Sequence, residues 1–440
     1  MAEYPTERMK TYGKAKELRF KIYRGPVEAH GKGELVVGGS GATHFAIPMG
    51  LGNMHFIAGE SYGALLAANR DFSTQCMEVV EKAGYARDLC AYMRLYWGSV
   101  MLNKYLGADG TIYEPFPRYD FLFTYHICCD HVRWYRLISE MEGGIPFFGY
   151  DVAPGYHYTD MVTPWRTDYI YEQIAEAIPW MEKVTGRTFD DEKFSEAFRN
   201  EARTSKYYGE AMVLNQTIPA PLDERLIYVY QGLTSSRPFD KEVADFMVEF
   251  RDEVKDRVER GIAAVPNERY RVMTDSNPPW QGLQIFRHIA NEYGAVSIGS
   301  IYSIGLHTAF DFDEQGTLIP TPVPHEVGVP MRNREELLRA YIDWKGKLMT
   351  GFVAFDQRKD GELAKRIFKQ WNVEALLMHL NRGCWGMLSQ KMMRLDMIEA
   401  GHPVVVYEGN MGDYREFDFD RAMEKINSFF DSQIGKVRKE

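Results

Sequence analysis

The sequence predicts an α/β protein in which two Rossmann-like parallel-sheet domains flank a helical segment. Three observations predict it. Short apolar runs alternate with helix-period segments in both end regions, the pattern of β-α-β units. One run, Phe121-Leu122-Phe123-Thr124-Tyr125-His126-Ile127, is apolar almost throughout, as in a strand covered on both faces. The middle third carries long helical periods with charged outer faces and no strand pattern. The expected divisions are residues 1–165, 166–265 and 266–440.

In the first region Leu89, Met93, Tyr96, Trp97 and Val100 recur at helical spacing, with Asp88 placed to cap the start. The 121–127 strand follows, Asp130 opens a helix carrying Trp134, Leu137, Ile138 and Met141, and a second strand is expected over 145–152. Helices are expected over 168–184, 192–214 and 241–262. The last region returns to alternation, with strands over 269–273, 295–302, 373–380 and 403–408 and helices over 281–293 and 385–400. Gly401 followed at one remove by Pro403 is a helix stop. Residues 311–330, rich in Pro, Gly and acidic side chains, read as a long surface loop that can serve as a lid or subunit contact.

A chain of 440 residues exceeds what one simple core holds. With 45% hydrophobic and 26% charged residues, it has the balance of a soluble globular protein. A net charge of −10 without a basic run argues against nucleic acid as a partner. An acidic ligand stays compatible, because a local Arg pocket or helix terminus holds phosphate. The segment Met1-Ala2-Glu3-Tyr4-Pro5-Thr6-Glu7-Arg8 lacks the apolar core of a signal peptide, and the most apolar stretch, 294–310, is broken by Ser, Gly and His. No membrane and a cytoplasmic location are the expectations. Five cysteines are too few for a disulfide framework.

Those cysteines carry the chemical signal. Cys128 and Cys129 follow the 121–127 strand directly, Cys384 follows the 373–380 strand through Asn381-Arg382-Gly383, and Cys90 sits two residues after Asp88. All lie at helix starts, where the thiolate is favoured. The carboxyl ends of parallel strands are also where ligands bind. Three thiolates converging on one cleft suit an iron–sulfur cluster or a zinc site. Paired zinc knuckles are absent, and a four-iron cluster ordinarily takes four cysteines, so three leave one iron open. A buried inert thiol is the competing reading for each, and position alone does not separate the two. Cys76, on a helix, reads as core.

Further candidates accompany the thiols. His126 and Asn381, beside the proposed ligands, can donate hydrogen bonds to cluster sulfur or carry protons as catalytic groups; the alternative is a satisfied structural role. Asn277-Pro278-Pro279-Trp280 follows a predicted strand, so Asn277 and Trp280 are candidate substrate-binding residues, against a plain loop with a helix-starting proline. Gly38-Gly39-Ser40-Gly41 allows Gly39 a close approach to ligand, without forming a G-x-G-x-x-G fingerprint. Some of the 27 Tyr and 25 Phe can furnish a flat pocket for an aromatic acyl group, though most such rings are core.

The run Glu78-Val79-Val80-Glu81-Lys82-Ala83-Gly84-Tyr85-Ala86-Arg87-Asp88-Leu89-Cys90-Ala91-Tyr92 resembles the first-cysteine segment of ATP-dependent (class I) benzoyl-CoA reductase subunits, in the benzoyl-CoA reductase / 2-hydroxyacyl-CoA dehydratase D-component family. Cys129-Asp130 resembles the family's central Cys-Asp pair. His379-Leu380-Asn381-Arg382-Gly383-Cys384, with Ser389-Gln390 following, resembles its third-cysteine segment, and Pro403-Val404-Val405-Val406-Tyr407-Glu408-Gly409-Asn410 its closing strand. The resemblance implies a [4Fe–4S] cluster held by Cys90, Cys129 and Cys384, with Cys128 the alternative to Cys129. It implies a homologous cluster-bearing partner subunit that helps enclose an aromatic acyl-CoA. The activity implied is delivery of low-potential electrons that reduce the ring to a cyclic dienoyl-CoA. A 2-hydroxyacyl-CoA dehydratase subunit, eliminating water through a ketyl radical, is the alternative, and a cluster-free partner subunit is another. No G-x-x-x-x-G-K-[ST] loop is present. ATP would therefore be used by separate ATP-hydrolysing, electron-activating subunits, with ferredoxin as the upstream donor.

Overall fold

The computed structural model describes residues 3–41, 43–126, 128–152, 165–275, 278–348, 357–384 and 387–434. In the first region helix α1 (Tyr12–Glu28) leads into β1 (Leu35–Gly39) and β2 (Met54–Ala58), followed by α2 (Gly59–Ala67), α3 (Arg70–Lys82) and α4 (Ala91–Met101). A short antiparallel pair, β3 (Tyr105–Leu106) and β4 (Ile112–Tyr113), precedes β5 (Phe121–His126), α5 (Cys129–Met141) and β6 (Phe147–Asp151). Helices α6 (Trp165–Thr185), α7 (Asp191–Leu214), α8 (Glu224–Thr234) and α9 (Lys241–Arg260) form the middle. Strand β7 (Tyr270–Asp275), α10 (Gln284–Tyr293), β8 (Ala295–Ser300) and α11 (Ile301–Gly305) open the last region. There follow the hairpin β9 (Phe310–Phe312) and β10 (Leu318–Pro320), α12 (Arg334–Lys345), α13 (Gln357–Gln370), β11 (Ala375–Asn381), α14 (Met387–Glu399), β12 (Val404–Gly409) and α15 (Phe419–Phe429).

Two four-stranded sheets result, in the orders β2-β1-β5-β6 and β12-β11-β7-β8. Every pairing within them is parallel. The α/β architecture with two parallel sheets is therefore as the sequence predicts. In each sheet the strand order reverses in the middle, between β1 and β5 and between β7 and β11. Those two switch points open crevices at the strands' carboxyl ends.

Both faces of each sheet are covered, which is why the strands read as continuous apolar runs. Val36 and Leu122 of the first sheet share one core with Met273, Val296 and Leu376 of the second and with Tyr96, Trp97, Phe246 and Phe250 of the helices. The outer face of the first sheet packs Val37 and Phe123 against Ile174, Phe198 and Tyr341. The outer face of the second packs Val272 and Leu377 against Ile285, Ile289 and Ile426. The two sheets thus present their inner faces to a common interior.

Several expected boundaries shift. Strand β8 stops at Ser300, whose side chain and that of Ser303 close a reciprocal capping box, so residues 301–305 are helical. The expected loop over 311–330 contains most of the β9–β10 hairpin. Its turn is organised by Asp313, whose Oδ1 accepts from Gln315 N and Thr317 N at 2.9 and 2.7 Å. A fourth middle helix, α8, starts at Asp223, whose carboxylate accepts from Leu226 N at 3.0 Å.

One half-buried carboxyl gives a pH prediction. Glu142 follows the C-terminus of α5, and burial raises its pKa to about 7, against smaller opposing effects of Arg118 and the Tyr119 backbone. The folded state keeps the proton that the unfolded chain loses near its ordinary pKa of 4.5. Stability therefore falls as pH rises from 4.5 to about 7 and levels above it, by up to about 3 kcal/mol. Denaturation at pH 5 and pH 8 will show Glu142→Gln raising stability at the higher pH only.

Candidate functional site

Cys90 is the N-cap of α4 with φ −47° and ψ 125°, and its carbonyl accepts from Arg94 N at 3.0 Å. The expected capping role of Asp88 is thus taken by Cys90 two residues later. Cys128 is the N-cap of α5, which begins at Cys129 rather than at Asp130. Its extended backbone, φ −148° and ψ 167°, is the ordinary N-cap conformation. Cys384 follows β11 after a turn in which Gly383 adopts φ +73°. A Cβ on Gly383 would lie 2.5 Å from the Asp88 carbonyl oxygen and 2.7 Å from that of Leu89. Glycine is required there on both counts. The Cys384 turn therefore rests directly on the segment that carries Cys90.

The thiols also interact electrostatically. Burial pushes the Cys90 thiol well above its ordinary pKa, with Cys384, Asp130 and Cys128 all adding in the same direction, while the Met93 N–H opposes them. The helix terminus that should favour thiolate is outweighed here by desolvation and by the other thiols. Cys90 thus lies within electrostatic reach of one thiol at each switch point. Cys129 is described only as the first residue of α5. Among the described residues no three His, Cys, Asp or Glu side chains close around a single metal ion. A cubane cluster spreads its sulfur ligands further apart than one ion does. Cys90 and Cys384 are brought together through the Gly383 contact, and Cys128 lies within electrostatic reach of Cys90. Cys76, by contrast, is fully buried in the core.

The other expected residues fall in different places. Asn381 is fully buried, and its carbonyl accepts from Cys384 N at 3.4 Å. His126 is exposed at the end of β5, 3.4 Å from Asp151 on the neighbouring strand. Trp280 closes over α4, its Nε1–H donating to the Tyr92 hydroxyl at 2.5 Å. Gly39 is packed inside the sheet, where a Cβ would sit 2.1 Å from the Phe123 carbonyl oxygen. Asn277 lies outside the described residues.

The structure adds a polar centre that sequence reasoning missed. Glu60, one residue into α2 at the carboxyl end of β2, accepts from Ser40 Oγ at 2.7 Å, Gly41 N at 2.5 Å and His131 Nε2 at 2.7 Å. Burial alone would raise its pKa, but the His131 charge and these hydrogen bonds outweigh it and hold the carboxyl at about 2. Burial disfavours the charged form of His131 as well, yet Cys128 and Glu60 together hold it well above its usual pKa. The pair is a carboxylate and an imidazolium beside the first switch point. The signal was present in part, since His131 is three residues beyond Cys128, on its side of the helix.

A charged clamp joins the two sheets beside the thiols. Fully buried Arg94 places Nη1 3.4 Å from Glu81 and 3.5 Å from Asp413 of the loop after β12, and its Nε–H donates to the Leu89 carbonyl at 3.3 Å. Arg415 bonds both Glu81 and Asp413. Removing one member of a buried charge network leaves the others uncompensated. Arg94→Met will lower stability by about 3–5 kcal/mol in chemical denaturation.

With this geometry in place, comparison with known proteins decides the lineage. The family model described as "2-hydroxyglutaryl-CoA dehydratase, D-component" matches residues 60–432. The chain belongs to that family. The match covers all the cysteines discussed here and the Glu60–His131 pair. The (R)-2-hydroxyisocaproyl-CoA dehydratase alpha subunit of Clostridioides difficile is 25% identical over 81% of this chain and 80% of its own. The (R)-phenyllactyl-CoA dehydratase alpha subunit of Clostridium sporogenes is 25% identical over 84% of this chain and 83% of its own. A benzoyl-CoA reductase subunit of Thauera aromatica is 21% identical over 80% of this chain and 78% of its own. Each of these relatives is named as a subunit of an acyl-CoA enzyme. Among the described residues no helix is long and apolar enough to cross a membrane.

Proposed function

We propose that this chain is a subunit of a 2-hydroxyacyl-CoA dehydratase, holding a [4Fe–4S] cluster through Cys90, Cys384 and one of Cys128 and Cys129. The observation that carries the reading is the seating of the Cys384 turn on the Cys90 segment, with Cys128 at the opposite switch point. The relatives reverse the order of the two activities that the sequence suggests. Dehydratase alpha subunits match at 25% identity, whereas the benzoyl-CoA reductase subunit matches at 21%.

When bound, the cluster supplies single electrons of low potential to the thioester. The chain's own residues handle protons. Net loss of water from a 2-hydroxyacyl group takes one proton from carbon and delivers one to the departing hydroxyl. A carboxylate beside an imidazolium offers one acceptor and one donor for that exchange. Glu60 and His131 are such a pair, and Ser40 and Gly41 fix the carboxylate's orientation. Residues of both sheets share one inner core, which holds the two switch points in one body.

Reductive dearomatisation of an aromatic acyl-CoA is the second reading. It is favoured by the benzoyl-CoA reductase match and by the segments around Cys90 and Cys384 that resemble that enzyme. Either activity calls for a homologous partner subunit and an ATP-driven electron donor. The test is an anaerobic complex of all subunits, supplied with ATP and reductant, assayed on lactoyl-, phenyllactyl- and 2-hydroxyisocaproyl-CoA and on benzoyl-CoA. Dehydration with no ring reduction is the expected result. Ring reduction alone would install the second reading, and an iron-loaded complex inert on every substrate would end both.

A further inference from the structure

His307 lies two residues past α11, in the segment that leaves β8 of the second sheet. It is 8% exposed, and neither Nδ1 nor Nε2 has a hydrogen-bond partner within the protein. An unmatched buried polar group costs about 1–3 kcal/mol, and folded proteins keep few of them without a use. The ring's orientation suggests the use. Its Cε1, the atom between the two nitrogens, lies 3.4 Å from the position a Cβ would take on Gly41. Glu60 Oε2 and the Ser235 carbonyl oxygen each lie 3.3 Å from that same position. The nitrogen-bearing edge of His307 is thus turned towards the backbone step whose N–H holds Glu60. One sheet contributes the carboxylate, the other the imidazole, and glycine places no side chain between them.

Burial lowers the pKa of His307 to about 4, with the Lys345 charge adding to that effect and Glu60 opposing it. The ring is neutral at pH 7, with one N–H donor and one bare nitrogen acceptor. A hydroxyl group can pair with either nitrogen, accepting from the N–H or donating to the bare one. A thioester carbonyl would use only the donor.

We infer that His307 is a specificity-determining residue that binds the α-hydroxyl of a 2-hydroxyacyl-CoA, across Gly41 from Glu60. The inference rests on the dehydratase reading and adds the group that would distinguish a hydroxyacyl from a plain acyl thioester. The experiment measures equilibrium binding rather than turnover. The anaerobic complex with its partner subunit, without ATP or electron donor, is titrated calorimetrically with 2-hydroxyisocaproyl-CoA and with isocaproyl-CoA, which lacks the hydroxyl. The wild type binds the hydroxyacyl thioester more tightly. His307→Phe loses about tenfold on that ligand and leaves isocaproyl-CoA unchanged, while His307→Asn, which keeps a donor and an acceptor, retains part of the preference. Equal losses on both ligands, no loss on either, or a wild type without preference would each overturn the inference. Should the phenylalanine variant not fold, the asparagine variant decides by the same comparison. Loss of dehydration in the turnover assay speaks to the function of the complex, whereas these ratios speak to His307 alone.

Discussion

Replacing Cys384 by alanine strips the iron from the anaerobic complex and abolishes turnover while the subunit stays folded. The expectation follows from where Cys384 sits. Its turn rests on the Asp88 and Leu89 carbonyls, on the segment that carries Cys90, and this contact belongs to backbone that the substitution leaves in place. Cys90→Ala should behave in the same way, because Cys90 is partly buried at a helix start and its carbonyl, which the substitution keeps, takes the first helical bond from Arg94 N. Groups that merely support metal ligands typically cost about 10–100-fold when removed, so loss of a ligand itself should exceed about 100-fold in turnover. Cys76→Ser supplies the control, since that thiol is in the core at the middle of α3 and should leave iron content intact. Of Cys128 and Cys129, only one replacement should remove iron. Iron and sulfide analysis with EPR reads all of these outcomes, and an iron-loaded, active Cys384→Ala complex would refute the cluster assignment.

The strand-end positions of Cys128 and Cys384 were legible in the sequence because their signal is local. A cysteine between an apolar run and a helix start marks the carboxyl end of a parallel strand whichever other strands pair with it. The same logic located β5, β7, β11 and β12 from short apolar runs. Strands β1 and β2 escaped because five residues ending in Gly38-Gly39, or including His55, carry too little pattern to separate them from loop. With β2 unseen, Glu60 had no strand end to sit on, and its role could not be inferred. Asp88 was preferred over Cys90 as a cap because cap preference favours Asp. Tertiary seating of the Gly383 turn on Asp88 and Leu89 overrode it. Gly39 shows the reverse case. Its glycine character was visible, but the cause is the Phe123 carbonyl across the sheet. Contacts between residues so far apart in the chain leave no periodic trace in a single sequence.

The two activities considered for this family share an electron donor and differ in what the protons do. This makes the residues around the acyl group more informative about reaction type than the thiols are. Ring reduction consumes protons and releases none. Dehydration returns as many as it takes, so it is served by a base and an acid held together. The Glu60–His131 contact at 2.7 Å, with carboxylate and imidazolium both favoured, has that second character.

Glu60→Gln should therefore lower turnover by about 10²–10⁴-fold, the range for loss of a positioned general base, with iron content and EPR spectrum unchanged. Glutamine keeps the shape and one acceptor for Ser40 or Gly41, so the loop after β1 has little reason to move. What it removes is charge. His131 then keeps only Cys128 to favour its protonated form against burial, so its pKa falls. Breaking a buried pair costs about 3–5 kcal/mol when the remaining charge is trapped; because Cys128 still faces His131 and the ring can also lose its proton, the measured loss should fall at the low end of that range. The double variant Glu60→Gln with His131→Gln should then be little less stable than Glu60→Gln alone, since the pair acts as one unit. A catalytic and a structural role separate on this comparison. If turnover follows stability across the three variants, Glu60 only holds the fold; if Glu60→Gln is inactive while denaturation shows a folded complex with full iron, the carboxylate works on the substrate.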